Sequence, residues 1–141
     1  MAALAAVVLL SSNPTRGGHD GAPIAVIVGR KSFVTEVSRD ELRELYLRRQ
    51  RIWPNGMRAF PINLPPDNPV RERFSKLVLG RSTQELAAYW NARYFEGITP
   101  PLVLPSPTAI RAYLATEPAA IAYVPLTEVD HTCRTLLVLE R

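Results

Sequence analysis

The residues best placed to do chemistry are Asp67, Asn68, Val70 and Arg71, in the run Asp67-Asn-Pro-Val-Arg71. Asn68 is a favourable helix N-cap and Pro69 suits the first helical position, so this spacing predicts a helix start. A first helical turn presents N–H groups without intrahelical partners and a partial positive charge, which together suit a small oxyanion. Arg71 adds a guanidinium fork able to grip two oxygens of such an anion. Two features oppose capture. Pro69 has no N–H to offer, and Asp67 brings a negative charge that can itself cap the amides. The same residues also make an ordinary capped helix, with Arg71 solvated on the surface.

A second group is basic: Arg48, Arg49, Arg51 and Arg58. These could meet phosphates or acidic lipid, although arginines closing a helix complement its dipole with no ligand at all. No aromatic residues interleave with them as base-stacking platforms, so nucleic acid is not the expected partner. Catalytic material is sparse. The chain has two histidines and one cysteine. His19 has no sequence-evident partner. His131 stands two residues from Cys133, a pair that could in principle activate a thiolate, but no third orienting group accompanies it. The set is too small to close a metal site. The expectation is no enzyme, no cofactor and no metal.

The elements that must position these residues follow from local patterns. Pro23-Ile-Ala-Val-Ile-Val28 is a continuous β-branched apolar run, the mark of a strand buried on both faces. Ser38-Arg-Asp-Glu41 reads as a capping box opening a helix with Leu42, Leu45 and Tyr46 at helical spacing. Pro54-Asn-Gly56 is a turn, followed by a strand over 57–64. The helix at Asn68 carries Val70, Phe74, Leu77 and Val78 inward and ends at Gly80. A second capping box, Ser82 to Glu85, opens a helix with Leu86, Tyr89, Trp90 and Tyr94 on one face. Leu102 to Leu104 is a short strand, Ser106-Pro107 starts a fourth helix, and strands follow at 119–124 and 136–139. Trp53 and Trp90 read as packing residues of the core or its edge. Strands alternating with helices predict one α/β domain of three layers, with a mixed, mostly parallel sheet of about four or five strands.

Composition agrees. A chain of 141 residues, 47% hydrophobic and 21% charged, is an ordinary single globular domain and not a disordered one. The net charge of +4 favours anionic ligands without selecting among them. One cysteine excludes an internal disulfide. The apolar run 1–10 is too short to span a bilayer, which takes about 20 residues. Followed by a polar, Gly-rich stretch, it resembles the centre of a secretory signal peptide that lacks its basic leader. The expected division is therefore a signal peptide or tail over 1–21 and a domain over 22–141, exported to the periplasm.

Three segments in order carry a family resemblance: Asp40-Glu-Leu-Arg-Glu-Leu-Tyr-Leu47, the Ile52-Trp-Pro-Asn-Gly56 turn, and Glu117-Pro-Ala-Ala-Ile-Ala-Tyr-Val-Pro-Leu126. Between them stand Tyr89-Trp90 and Pro100-Pro101. Over residues 23–139 this order resembles one lobe of a type II periplasmic binding protein. More narrowly, it resembles the short, roughly single-lobe relatives of the phosphate-binding component of ABC transporters. The resemblance implies a non-enzymatic module that binds phosphate or another small oxyanion for transport or sensing. It equally allows a ligand-free interaction domain docking on a membrane transporter or sensor, with a homodimer as a further option. In the full-length family the junction matched by Asp67–Arg71 carries a Ser-Gly-Thr triplet that grips the phosphate. Here Asn68 stands where the short relatives usually have serine, and Pro69 removes an amide. A single lobe offers half a cleft, so full enclosure of an anion would need a partner.

Overall fold

The computed structural model describes residues 21–140. The apolar run at 1–10, and the signal peptide read into it, lie outside the described residues. Five strands form one sheet: β1 (Ile24–Gly29), β2 (Phe60–Asn63), β3 (Leu102–Val103), β4 (Ala120–Pro125) and β5 (Cys133–Leu139), in the spatial order β3-β2-β4-β1-β5. The sheet is mixed. β2 runs parallel to both β3 and β4, whereas β1 runs antiparallel to both β4 and β5. The strand expected over 57–64 condenses to β2, preceded by an isolated antiparallel bridge between Ile52 and Arg58.

β1 and β4 are central, and every residue in both is buried. That is why their sequences read as unbroken apolar runs and not as alternating ones. The four helices are α1 (Arg39–Tyr46), α2 (Pro69–Phe74), α3 (Thr83–Phe95) and α4 (Pro107–Thr116). A one-turn π-helical segment, Ser75–Leu79, extends α2 to Gly80, which closes it in the left-handed conformation (φ 68°). Their N-caps are Ser38, Asn68, Ser82 and Ser106, the four residues expected from the sequence. At Ser82 the reciprocal box with Glu85 is complete. At Ser38 only the hydroxyl is engaged, accepting from the Glu41 N–H at 3.0 Å.

Three aromatic rings lock α1 and α2 onto the sheet. Phe74 stacks on Tyr123 with ring centroids 3.8 Å apart, and Tyr46 meets Phe74 edge-on at 4.8 Å. α4 packs against β1, β4 and β5. Its approach is close enough that a Cβ at Gly29 would sit 2.2 Å from the Leu114 carbonyl oxygen, so only glycine fits there. α3 departs from the expected inward stripe. Only Leu86 is fully buried, Tyr89 and Trp90 are half-buried, and Tyr94 is 69% exposed. The C-terminal turn of the helix stands clear of the core, with Tyr94 and Phe95 meeting edge-on at 6.1 Å. Trp53 is buried, and its indole N–H donates to the Ala119 carbonyl at 2.9 Å.

Candidate functional site

β2 delivers the chain into α2 at the carboxyl end of a parallel strand pair, the end where open α/β sheets receive ligands. The junction is held from below by the core. Asn63, the last residue of β2, is buried and accepts a hydrogen bond from the Tyr123 hydroxyl at 2.7 Å. The Leu64 N–H donates to the same hydroxyl at 3.4 Å. Tyr46 donates to the Ile62 carbonyl at 2.8 Å, so both buried phenols brace β2. Burial pushes the Tyr46 phenol well above its ordinary pKa, with Tyr123 beside it adding to the rise. Burial also raises the Tyr123 phenol, against the hydrogen bond from Leu64 and the nearby Arg71 charge.

The four residues singled out in the sequence fall together here. Asp67 is exposed at the rim and Asn68 caps the helix, its side-chain oxygen accepting from the Val70 N–H at 2.9 Å. Val70 itself is buried. Arg71 does not lie solvated on the surface. Its side chain turns inward and donates from Nη1 to the Leu64 carbonyl at 3.0 Å, leaving the residue only 9% exposed. Of the first-turn donors, Pro69 has none and that of Val70 is already taken by the cap. An oxyanion at this junction would therefore compete with Asn68 for an amide and with Leu64 for the Arg71 fork.

Of the basic cluster only Arg49 is paired with a carboxylate. Arg49 turns to Glu44 at 2.7 Å, whereas Arg48, Arg51 and Arg58 have no carboxylate partner among the described residues. Arg48 follows α1 in the left-handed conformation (φ 60°), unusual for a residue with a Cβ. Sequence inspection gave no signal for this conformation. Burial, reinforced by the charges of Arg58 and Arg51, lowers the Arg48 guanidinium from its ordinary pKa.

His131 and Cys133 do not make a catalytic pair. Cys133 opens β5, buried, with its thiol 3.6 Å from the Asp130 carbonyl, while His131 is exposed in the preceding turn. Among the described residues no three His, Cys, Asp or Glu side chains gather as a metal site. Nor is any described helix long and apolar enough to cross a membrane.

The five-stranded mixed sheet with its flanking helices is similar to one lobe of a periplasmic binding protein. No protein-family model and no curated protein matches this sequence. In three dimensions the chain is similar to an ABC-type phosphate transport receptor from Vibrio cholerae, with a TM-score of 0.65 and 16% identity over 82% of this chain and 46% of that one. It is likewise similar to a protein from Clostridium perfringens described as a phosphate ABC transporter substrate-binding protein with bound phosphate. There the TM-score is 0.64, with 16% identity over 82% of this chain and 45% of the other. PstS from Borrelia burgdorferi superposes with a TM-score of 0.60 and 15% identity, covering 82% of this chain and 47% of its own. The chain thus spans about half the length of the solved structures it matches.

Proposed function

We propose that this chain is an exported, non-enzymatic binding module of the substrate-binding-protein kind, presenting a small oxyanion such as phosphate for ABC transport or sensing. The observation that supports the reading is the fold shared over 82% of the chain with a phosphate transport receptor. The β2–α2 junction stands at the carboxyl end of the parallel β2–β4 pair, where open α/β sheets receive ligands. In this reading the anion meets Asn68, the Val70 amide and Arg71, with Asp67 at the rim. Because the Val70 N–H and the Arg71 fork are already engaged, binding here is an exchange and hence weak. A second copy of the chain, or a membrane transporter or sensor, supplies the facing wall of the cleft.

Thermal unfolding in millimolar phosphate or sulfate tests this proposal. Binding at a hundredfold excess over the dissociation constant stabilises the fold by about 2.7 kcal/mol, and the shift shrinks in high chloride. Replacing Asn68 by Ser, which keeps a capping oxygen, should preserve the shift, and Arg71→Ala should reduce it. Fusion of the full-length chain to a phosphatase active only outside the cytoplasm checks export.

A second reading is favoured by α3. Tyr94 and Phe95, 69% and 89% exposed, sit at the free end of a helix with a single fully buried residue. A ligand-free interaction domain would use this surface against a membrane partner. No anion-dependent shift at millimolar concentration, together with partner capture lost in a Tyr94→Ala, Phe95→Ala variant, would favour it over the first.

A further inference from the structure

At the opposite end of β2 from the α2 junction lie two adjoining cavities, of about 360 Å³ and 290 Å³, which share Arg48, Arg58 and Thr99. β2 has four residues, so at roughly 3.3 Å per residue the two ends are about 13 Å apart. The first cavity is basic and adds Arg51. The second is flanked by Phe60, Pro100, Pro101, Leu102 and Tyr113. We propose that this groove binds a small organic phosphate, its anionic head on Arg48, Arg51 and Arg58 and its apolar body on Phe60, Leu102 and Tyr113.

Three observations carry the assignment. Unlike Arg49, which is paired with Glu44, these three arginines meet no carboxylate among the described residues; Arg58 has only the Phe60 ring, 5.9 Å from its guanidinium, so no anion offsets their mutual repulsion. The Arg48 guanidinium is held by one hydrogen bond, Nη1 to the Ala59 carbonyl at 3.3 Å, and its buried Nε has no partner. A buried donor left unsatisfied is unfavourable unless a ligand completes it. The backbone that carries the cations is also fixed in place. Arg48 follows Leu47, the C-cap of α1, while Arg51 and Arg58 flank a tight turn closed by the Ile52–Arg58 bridge, the Ala59 N–H to Arg51 carbonyl bond at 2.9 Å and the Trp53 N–H to Met57 carbonyl bond at 2.7 Å. Guanidiniums carried on such a fixed backbone suit the multiple oxygens of a phosphate dianion. The neighbouring apolar surface, with Leu102 48% exposed, gives affinity to an organic substituent that inorganic phosphate lacks. Burial, with the charges of Arg58 and Arg51, lowers the Arg48 guanidinium from its ordinary pKa, and the attraction of a bound anion opposes that effect.

Isothermal titration of the full chain with phenyl phosphate, inorganic phosphate and vesicles of phosphatidylglycerol in phosphatidylcholine tests the groove. Phenyl phosphate is expected to bind one to one, about tenfold tighter than inorganic phosphate, and more weakly as sodium chloride is raised. The double variant Arg51→Ala, Arg58→Ala, changed only at exposed positions, should weaken phenyl phosphate about tenfold or more while keeping its melting temperature. Arg48→Gly, which keeps the left-handed backbone, should weaken phenyl phosphate likewise, and Asn68→Ala should not. Absence of phenyl phosphate binding at millimolar concentration, or equal binding by the double variant, overturns the proposal. Binding of vesicles alone overturns it in favour of a membrane-surface patch. Phenyl phosphate binding lost in Asn68→Ala but kept in the arginine variants assigns the anion to the α2 junction, which overturns the groove and supports the proposed function.

Discussion

The Tyr123 hydroxyl, on central strand β4, donates to the side-chain oxygen of Asn63 at the end of β2, across 2.7 Å. The contact joins the most buried part of the sheet to the junction that opens α2. Leu64 continues the chain of contacts by donating its N–H to Tyr123 and accepting from Arg71. The candidate oxyanion site is thus anchored in core packing, and its geometry depends on side chains remote in sequence.

Tyr123→Phe should therefore loosen the junction specifically. It leaves the ring stack on Phe74 in place but deprives buried Asn63 of its donor. A loss of about 1–3 kcal/mol is expected in urea unfolding. In combination with Asn63→Ala the losses should be less than additive, because both remove one interaction. Strict additivity would mean the hydrogen bond contributes nothing.

Alkaline stability follows from the two raised phenols. Both stay neutral in the folded chain, whereas in the unfolded chain they release protons above a pH of about 10. Above that pH the unfolded state binds fewer protons, so stability is full below it and falls as pH rises. The slope is about 1.4 kcal/mol per pH unit for each tyrosine. Urea midpoints between about pH 9 and pH 11 should show the decline, and Tyr46→Phe should remove one proton from the slope.

Arg48→Gly should raise the melting temperature. Left-handed backbone costs a residue with a Cβ about 1–2 kcal/mol, part of which glycine gives back through greater freedom when unfolded. The substitution also ends the repulsion with Arg51 and Arg58, at the loss of one 3.3 Å hydrogen bond. A net gain of about 0.5–1 kcal/mol is expected by thermal unfolding. A residue that destabilises the fold yet lines a charged groove fits a ligand role better than a packing role.

Gly29→Ala should be among the most damaging single changes. Its methyl would meet the Leu114 carbonyl at 2.2 Å, which forces α4 away from β1. A loss of about 3 kcal/mol or more is expected in urea unfolding. A nearly neutral result would show that α4 can shift at little cost.

Features that depend only on near neighbours were determined by the sequence alone. The four N-caps each close onto an amide two or three residues ahead, so Ser38, Asn68, Ser82 and Ser106 announce their helices without help from the fold. The unbroken apolar runs of β1 and β4 likewise reveal strands buried on both faces, and Pro54-Asn-Gly56 reveals a turn whose Gly56 N–H meets the Trp53 carbonyl at 2.8 Å. Side-chain direction is another matter. Arg71 turns inward because β2 places the Leu64 carbonyl within its reach, and Arg49 turns outward because Glu44 pairs with it. Tyr94 shares the helical spacing of Leu86, yet it lies exposed because the end of α3 stands clear of the core. Arg48, Arg51 and Arg58 converge only once the Ile52–Arg58 bridge sets the turn against the end of α1. Long polar side chains have many rotamers of similar energy, and only the acceptors and charges gathered by tertiary packing choose among them.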